Sequence, residues 1–275
     1  MKKKSVKIFV SLVVLALILV LGFFANAFLG NPISKQLATR TAKAHLAEQY
    51  TDTDFYIEDV RFDFKGGYYY AHIKSPSSAD SHFTLYLGMD GKLSRDSYKQ
   101  DVLHRFNTAT RLDDQYRDLV DSVLESPSLP FGLGYGYGIL ECTPREYVGC
   151  EGVPPHALIQ EELELDRAYD IPKLGAEAGH LLIYAKEETV SVERTVEILL
   201  EIRRLMDDGG VPFRTIDFTL VHSKPEKGPL SEERVDVLSF PYEDIHADGM
   251  IERVKAANDA AIAYYAEQDA LYKEY

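Results

Sequence analysis

Four lysines, Lys2, Lys3, Lys4 and Lys7, stand just ahead of a run from Ile8 to Leu29 that carries no charge. No other feature restricts the chain so much, because a segment of this kind has to leave water. About 21 residues at roughly 1.5 Å each make about 31 Å of helix, close to the roughly 30 Å hydrocarbon core of a bilayer. Residues 1–30 are therefore read as an N-terminal transmembrane helix. Ala25-Asn26-Ala27 also has the small-x-small form cut by signal peptidases, so removal is the alternative, although the apolar core of a cleaved signal usually runs to only about 7 to 15 residues. On either reading the lysines stay cytoplasmic and the rest of the chain is exported. The expectation is a single-pass cell-membrane protein with a cytoplasmic N-terminus, an extracytoplasmic body, and the membrane as its first partner.

That body is acidic. Thirty basic residues less the four N-terminal lysines leave 26 against 44 acidic ones, a formal charge of −18. A surface of this sign repels nucleic acid and anionic headgroups, so nucleic acid is excluded as a partner. It suits basic partners or cations, though an ordinary solvated face accounts for it as well.

Periodicity gives the order of elements. Asn31-Pro32 opens a helix, with a capping side chain followed by a residue that lacks the amide a first turn leaves unpaired, and Ile33, Leu37, Ala44 and Tyr50 share one face. The period then falls to two. Val60, Phe62 and Phe64 alternate with charged residues, Gly66-Gly67 turns the chain, Tyr68 to Lys74 returns, and Phe83, Leu85 and Leu87 open a third strand that Asp90-Gly91 turns into a fourth near Leu93. Residues 99–125 show helical spacing with a weak point at Asn107-Thr108. Beyond residue 157, strands are expected at 180–185, 213–221 and 234–238, and helices at 172–178, from Ser191 to Gly209, and at 249–274. The fold class is α+β: a transmembrane helix at 1–30, a helix with an antiparallel sheet at 31–125, a Gly/Pro/Tyr-rich junction at 126–157, and a second helix-covered sheet at 158–275.

The junction holds the stretch FGLGYGYGILECTPREYVGC. Gly132, Gly134, Gly136 and Gly138 keep period two, which is not the G-x-G-x-x-G of a dinucleotide loop, and no G-K-[ST] follows. The reading is a flexible tether with aromatic side chains. Cys142 and Cys150, placed outside the cytoplasm, are expected to form a disulfide closing a loop of nine residues; the alternative is two free or buried thiols. Two thiols alone do not complete a zinc site, and no metal or cofactor is expected.

Hydrolase signatures are absent: no G-x-S-x-G, S-x-x-K, H-E-x-x-H or C-x-x-C occurs. Asp166 and Asp170 are read as capping or turn residues. The one constellation above background lies on the hairpin. If Tyr69, Ala71, Ile73, Phe83 and Leu85 face inward, alternation sends Tyr68, Tyr70, His72, Thr84 and Tyr86 to the opposite face, an aromatic, hydrogen-bonding patch suited to recognition unless another element covers it.

Several stretches carry a resemblance: NPISKQLATRTAKAHLAEQY, FYIEDVRFDFKGGYYYAHIKSPSSADSHF and NTATRL, then HLLIYA, the helix ending in GGVPF, and FPYEDI. Together they resemble the YfjL-like family of membrane-anchored proteins from Gram-positive bacteria, over nearly all of the chain after the apolar run. The resemblance implies architecture and compartment and no reaction. The first sheet module is also similar in layout to PepSY and cystatin-like modules, which bind or inhibit proteins. The reading is a non-enzymatic binding or regulatory module of the cell envelope, with an envelope protein or peptide as partner. The alternatives are an envelope hydrolase assembled from dispersed Asp, Glu and His residues, and a structural spacer.

Overall fold

The computed structural model describes residues 2–126, 129–223 and 233–273; the turn-rich stretch SKPEKGP, 223–229, between the last two expected strands falls, beyond Ser223, outside them. The chain divides into two compact units, Met1–Asn107 and Thr108–Tyr275.

Helix α1 (Lys2–Leu29) opens the first unit. Its positions with a described environment are 8, 9, 11–18, 20–22, 24 and 28, all exposed. Among the described residues no helix is long and apolar enough to cross a membrane. The transmembrane helix expected over residues 1–30 is therefore corrected, and with it the single-pass cell-membrane location, the exported body and the membrane as a partner.

After Gly30, α2 (Pro32–Gln49) starts as its sequence requires: the Asn31 side chain accepts the Ser34 amide at 2.8 Å. The Asn31 amide in turn donates to the Tyr69 hydroxyl at 2.8 Å, and that hydroxyl donates to the Asn31 carbonyl at 2.9 Å, which fastens the helix start to the sheet. Strands β1 (Tyr56–Asp63), β2 (Tyr68–Lys74), β3 (His82–Leu87) and β4 (Leu93–Asp96) form an antiparallel sheet in sequence order. Its inner face buries Val60, Tyr69, Ala71, Ile73, Phe83, Leu85 and Leu87, and α2 buries Ser34, Ala38 and Ala42. The β3–β4 turn comes so close to α2 that a Cβ on Gly91, whose φ is +77°, would lie 2.6 Å from the Leu37 Cβ. A π-helical turn, Lys99–Leu103, follows. The helical break falls at Arg105, φ +63°, two residues ahead of the expected Asn107-Thr108. Asn107 is engaged elsewhere: its amide donates to the carbonyls of Asp80 at 2.9 Å and His82 at 2.6 Å.

The second unit is built on α3 (Phe106–Leu124), whose stripe Ala109, Leu112, Tyr116, Val120 and Leu124 is buried in its core. Strands β5 (Leu133–Leu140), β8 (Gly179–Glu187), β9 (Thr215–His222) and β10 (Arg234–Pro241) make a mixed sheet in the order β10-β9-β8-β5. Of its neighbours only β8 and β9 are parallel, joined through α5 (Val192–Gly209); β6 (Cys142–Thr143) and β7 (Leu158–Ile159) form a small separate pair. Ser191 caps α5, and Gly210, φ +66°, ends it, with the Val211 amide donating to the Met206 carbonyl at 2.9 Å. Helix α4 (Ile171–Ala178) is capped by Asp170, the role expected for that carboxylate, and α6 (Met250–Lys273) lies along β10.

The glycine-rich stretch is strand β5 rather than a tether, and the glycines explain themselves by what lies above them. A Cβ on Gly138 would sit 2.5 Å from the Val120 Cγ2 and 2.9 Å from the Tyr116 ring; one on Gly136 would sit 2.9 Å from Leu124. At Gly136 and Gly138 the glycine is the footprint of α3 on one face of the strand, whereas Gly134 is crowded by Tyr184 of β8.

Gly138→Ala is expected to cost about 1–3 kcal/mol by overpacking against α3. Combined with Val120→Ala, which removes the clashing methyl, the double variant should lose less than the sum of the single losses. Urea denaturation of the four proteins measures the coupling, and strict additivity would refute the packing account.

Candidate binding surfaces

On the first sheet, alternation holds. Tyr68, Tyr70, His72, Thr84 and Tyr86 lie opposite the buried side chains and keep partial exposure, while Tyr69 between them is 1% exposed. The register puts Arg61 beside Tyr70, Tyr70 beside Tyr86, and Tyr86 beside Arg95. These side chains hold one another: Tyr68 and Tyr86 lie 5.6 Å apart, Tyr70 and His72 4.9 Å, and the Arg95 guanidinium stands 5.5 Å over the Tyr86 ring. His72 Nδ1 is 3.3 Å from the Thr84 hydroxyl, and its Nε2 is 4.0 Å from Asp59 Oδ1, a buried oxygen without a hydrogen-bond partner.

The two cysteines are free thiols, so the expected 142–150 bridge is not formed. Cys142 is committed to the β6–β7 ladder and packs against the second core, whereas Cys150 is exposed on a turn. Burial, aided by the charges of Asp113 and Glu141, pushes the Cys142 thiol up to about 12.

Sequence reasoning missed a cleft of about 650 Å³ where β8 and β9 begin. Glu141, His156, His180 and Asp217 reach it from four separate segments, with Ile139, Leu182, Val153 and Pro154 among its apolar walls. His180, 6% exposed, is at its floor. Its Nδ1 is 2.9 Å from the Thr215 hydroxyl and 3.6 Å from Glu141 Oε1, and its Nε2 is 3.4 Å from Asp217 Oδ1, which also accepts the Ser239 amide at 2.6 Å. Burial pushes the Asp217 carboxyl up, but the His180 bond and the Ser239 amide outweigh it and hold the group below its ordinary value. Burial carries Glu141 the other way, above the usual glutamate range, with His180 opposing and Asp217 and Asp113 adding. The one trace in the sequence was a histidine heading the apolar strand HLLIYA. Among the described residues, no group of three or more His, Cys, Asp or Glu side chains is arranged to hold a metal ion.

Two α+β units in tandem, a helix on an antiparallel meander followed by a helix-covered mixed sheet, define the class of protein. The chain belongs to the YfjL-like family: the family's N-terminal domain matches residues 2–97 and its C-terminal domain residues 115–255. Comparison with curated proteins gives no match. Among solved structures, a crystal structure of a DUF5037 family protein from Ruminococcus gnavus is similar at 13% identity over 66% of this chain and 73% of that one, with a TM-score of 0.21, too low to carry an argument.

In protein purified without reductant, Cys150 is expected to react quickly with iodoacetamide near pH 8, and Cys142 at least about tenfold more slowly, because only the thiolate attacks and burial suppresses it. Peptide mass spectrometry after timed quenching reads both rates. Linked 142–150 peptides would restore the bridge and overturn this assignment.

Proposed function

We propose that the protein is a non-enzymatic binding module whose recognition surface is the outer face of the first sheet. One observation carries this reading. Within the first unit, the packing helix α2 lies against the Tyr69 face, and Tyr68, Tyr70, His72, Thr84 and Tyr86 are steadied by one another while still partly exposed. Tyrosines held in place but not covered offer a large contact area at little entropic cost, with hydroxyls to orient a protein or peptide partner.

A hydrolytic reading draws on the Thr215–His180–Asp217 string, a hydroxyl, an imidazole and a carboxylate in line. Thr215 and His180 are both buried, at 7% and 6% exposure, and their register pairing across β8 and β9 gives them a structural task, joining two strand starts. The binding reading is therefore preferred.

Neighbouring tyrosines separate recognition from packing. Tyr69→Ala is expected to cost about 3 kcal/mol or more, as large-to-small aromatic changes in cores do. Tyr70→Ala should cost only about 1 kcal/mol, the scale of one aromatic pair, while abolishing the discrete adducts formed by a photo-crosslinking residue at Thr84. Denaturant melts and crosslinked-band patterns provide the readouts. A Tyr70→Ala protein as destabilised as Tyr69→Ala would make the patch ordinary core, and an unchanged crosslinking pattern would remove it as the site.

A further inference from the structure

We propose that the cleft where β8 and β9 begin is a binding site for a small organic cation, a protonated amine on a short apolar body, with Glu141 as its counter-ion. This site lies in the second unit and is independent of the tyrosine face.

The argument is one of unmet bonding capacity. Of the three carboxylates that line the cleft, Glu243 is exposed, and Asp217 is already served by His180 and by the Ser239 amide. Glu141 has no such service. Its nearest cationic partner is His180 Nδ1 at 3.6 Å, and that nitrogen is engaged by the Thr215 hydroxyl at 2.9 Å. That separation is beyond hydrogen-bond reach, and in the Nε2–H tautomer Nδ1 accepts from Thr215 and has no proton to offer Glu141. A half-buried carboxylate in that state lacks the positive partner its ionised form needs, consistent with its raised pKa.

A second group in the cleft is also unmet. His156 Nε2 is buried without a hydrogen-bond partner. Burial, the Arg214 charge and His180 all favour its neutral form. In the Nδ1–H tautomer, Nε2 is an acceptor without a donor, on a ring that lines the same cleft as Glu141. An ammonium group supplies several N–H donors and a positive charge. The walls, Ile139, Leu182, Val153 and Pro154, suit a short hydrocarbon body, and a cleft of about 650 Å³ is the size of small-molecule pockets. Arg214 and Glu243, opposite in sign and both exposed, leave the rim without a net preference. A metal ion is the poorer fit, since no three donors are arranged to hold one among the described residues.

Protonation follows from the same groups. Glu141 faces His180 from β8, Asp217 from β9 and Asp113 from α3, and shares the cleft with His156, Arg214 and Glu243. Its raised pKa means the empty site is partly protonated above the usual glutamate range, and a bound cation favours the ionised form. Binding therefore releases protons in mildly acidic solution and releases none once Glu141 is fully ionised.

The test titrates n-butylammonium chloride into the full chain by calorimetry, in two buffers of different ionisation enthalpy, at about pH 5.5 and about pH 8. Saturable binding with net proton release at the lower pH only, and no binding of sodium butyrate, is the expected result. Glu141→Gln should weaken butylammonium at least about tenfold and remove the carboxylate's share of the release, leaving any share from His156. Glu193→Gln, on α5 away from the cleft lining, should change neither. The linkage in the unaltered protein keeps the proposal open to refutation if Glu141→Gln does not fold. Butyrate binding as well as butylammonium, displacement of the amine by magnesium or zinc, proton uptake, or heats that never saturate would each overturn it.

Discussion

One tyrosine ring holds the second unit together. Tyr116 projects from α3 into full burial, and three elements are cut to fit it: a Cβ on Gly138 of β5 would lie 2.9 Å from its ring, one on Gly175 of α4 2.6 Å, and one on Gly179 at the start of β8 would meet its hydroxyl. The hydroxyl donates to the Pro212 carbonyl at 3.0 Å, just ahead of β9. A ring of this size excludes side chains from every backbone around it, and its polar tip needs a partner because burial makes an unpaired hydroxyl costly. Helix, strand and loop positions are thus fixed by one contact. His180, which follows Gly179 directly, inherits its place in the cleft from this packing.

The same unit shows how polar groups survive inside. Asp236, 2% exposed, accepts from the Thr219 hydroxyl at 2.8 Å and from Arg234, and its own amide donates to Asn258 of α6 at 2.9 Å. That network ties β9, β10 and α6 together at the cost of taking a carboxylate out of water, and its oxygens are served from within the sheet. Glu141 contrasts with it. Asp236 is buried with partners inside the unit, whereas the Glu141 carboxylate, partly exposed just past the end of β5, has its nearest imidazole nitrogen 3.6 Å away.

What could be read from the sequence follows the range of the forces involved. The alternation placing Tyr69, Ala71 and Ile73 inward and Tyr68, Tyr70 and His72 outward is local, as are the caps at Asn31, Asp170 and Ser191, and each matches the structure. The glycines of β5 misled because their reason lies in other stretches of chain, α3 with Tyr116, Val120 and Leu124 over Gly136 and Gly138, and Tyr184 of β8 beside Gly134; glycine spacing alone cannot distinguish a tether from a strand under a helix. The cysteine bridge was inferred from compartment rather than geometry, and pairing of Cys142 with Leu158 in a parallel ladder was invisible to spacing. Glu141, His156, His180 and Asp217 formed no motif because three intervening segments of unequal length bring them together.

The two proposed surfaces would differ in what they ask of a ligand. The tyrosine face presents rings steadied by contacts between β1, β2, β3 and β4, so its selectivity rests on shape and on hydroxyl, imidazole and guanidinium groups spread over a sheet. Area of this kind accumulates affinity from many weak contacts and tolerates variation in the partner. The cleft concentrates its demand at one carboxylate and one imidazole. There a wrong charge is penalised directly, because Glu141 is already short of a cation and an anion would deepen the deficit that burial created. The proposed extended recognition in the first unit and point recognition of charge in the second would be different physical tasks, each falling within one of the family's two domains.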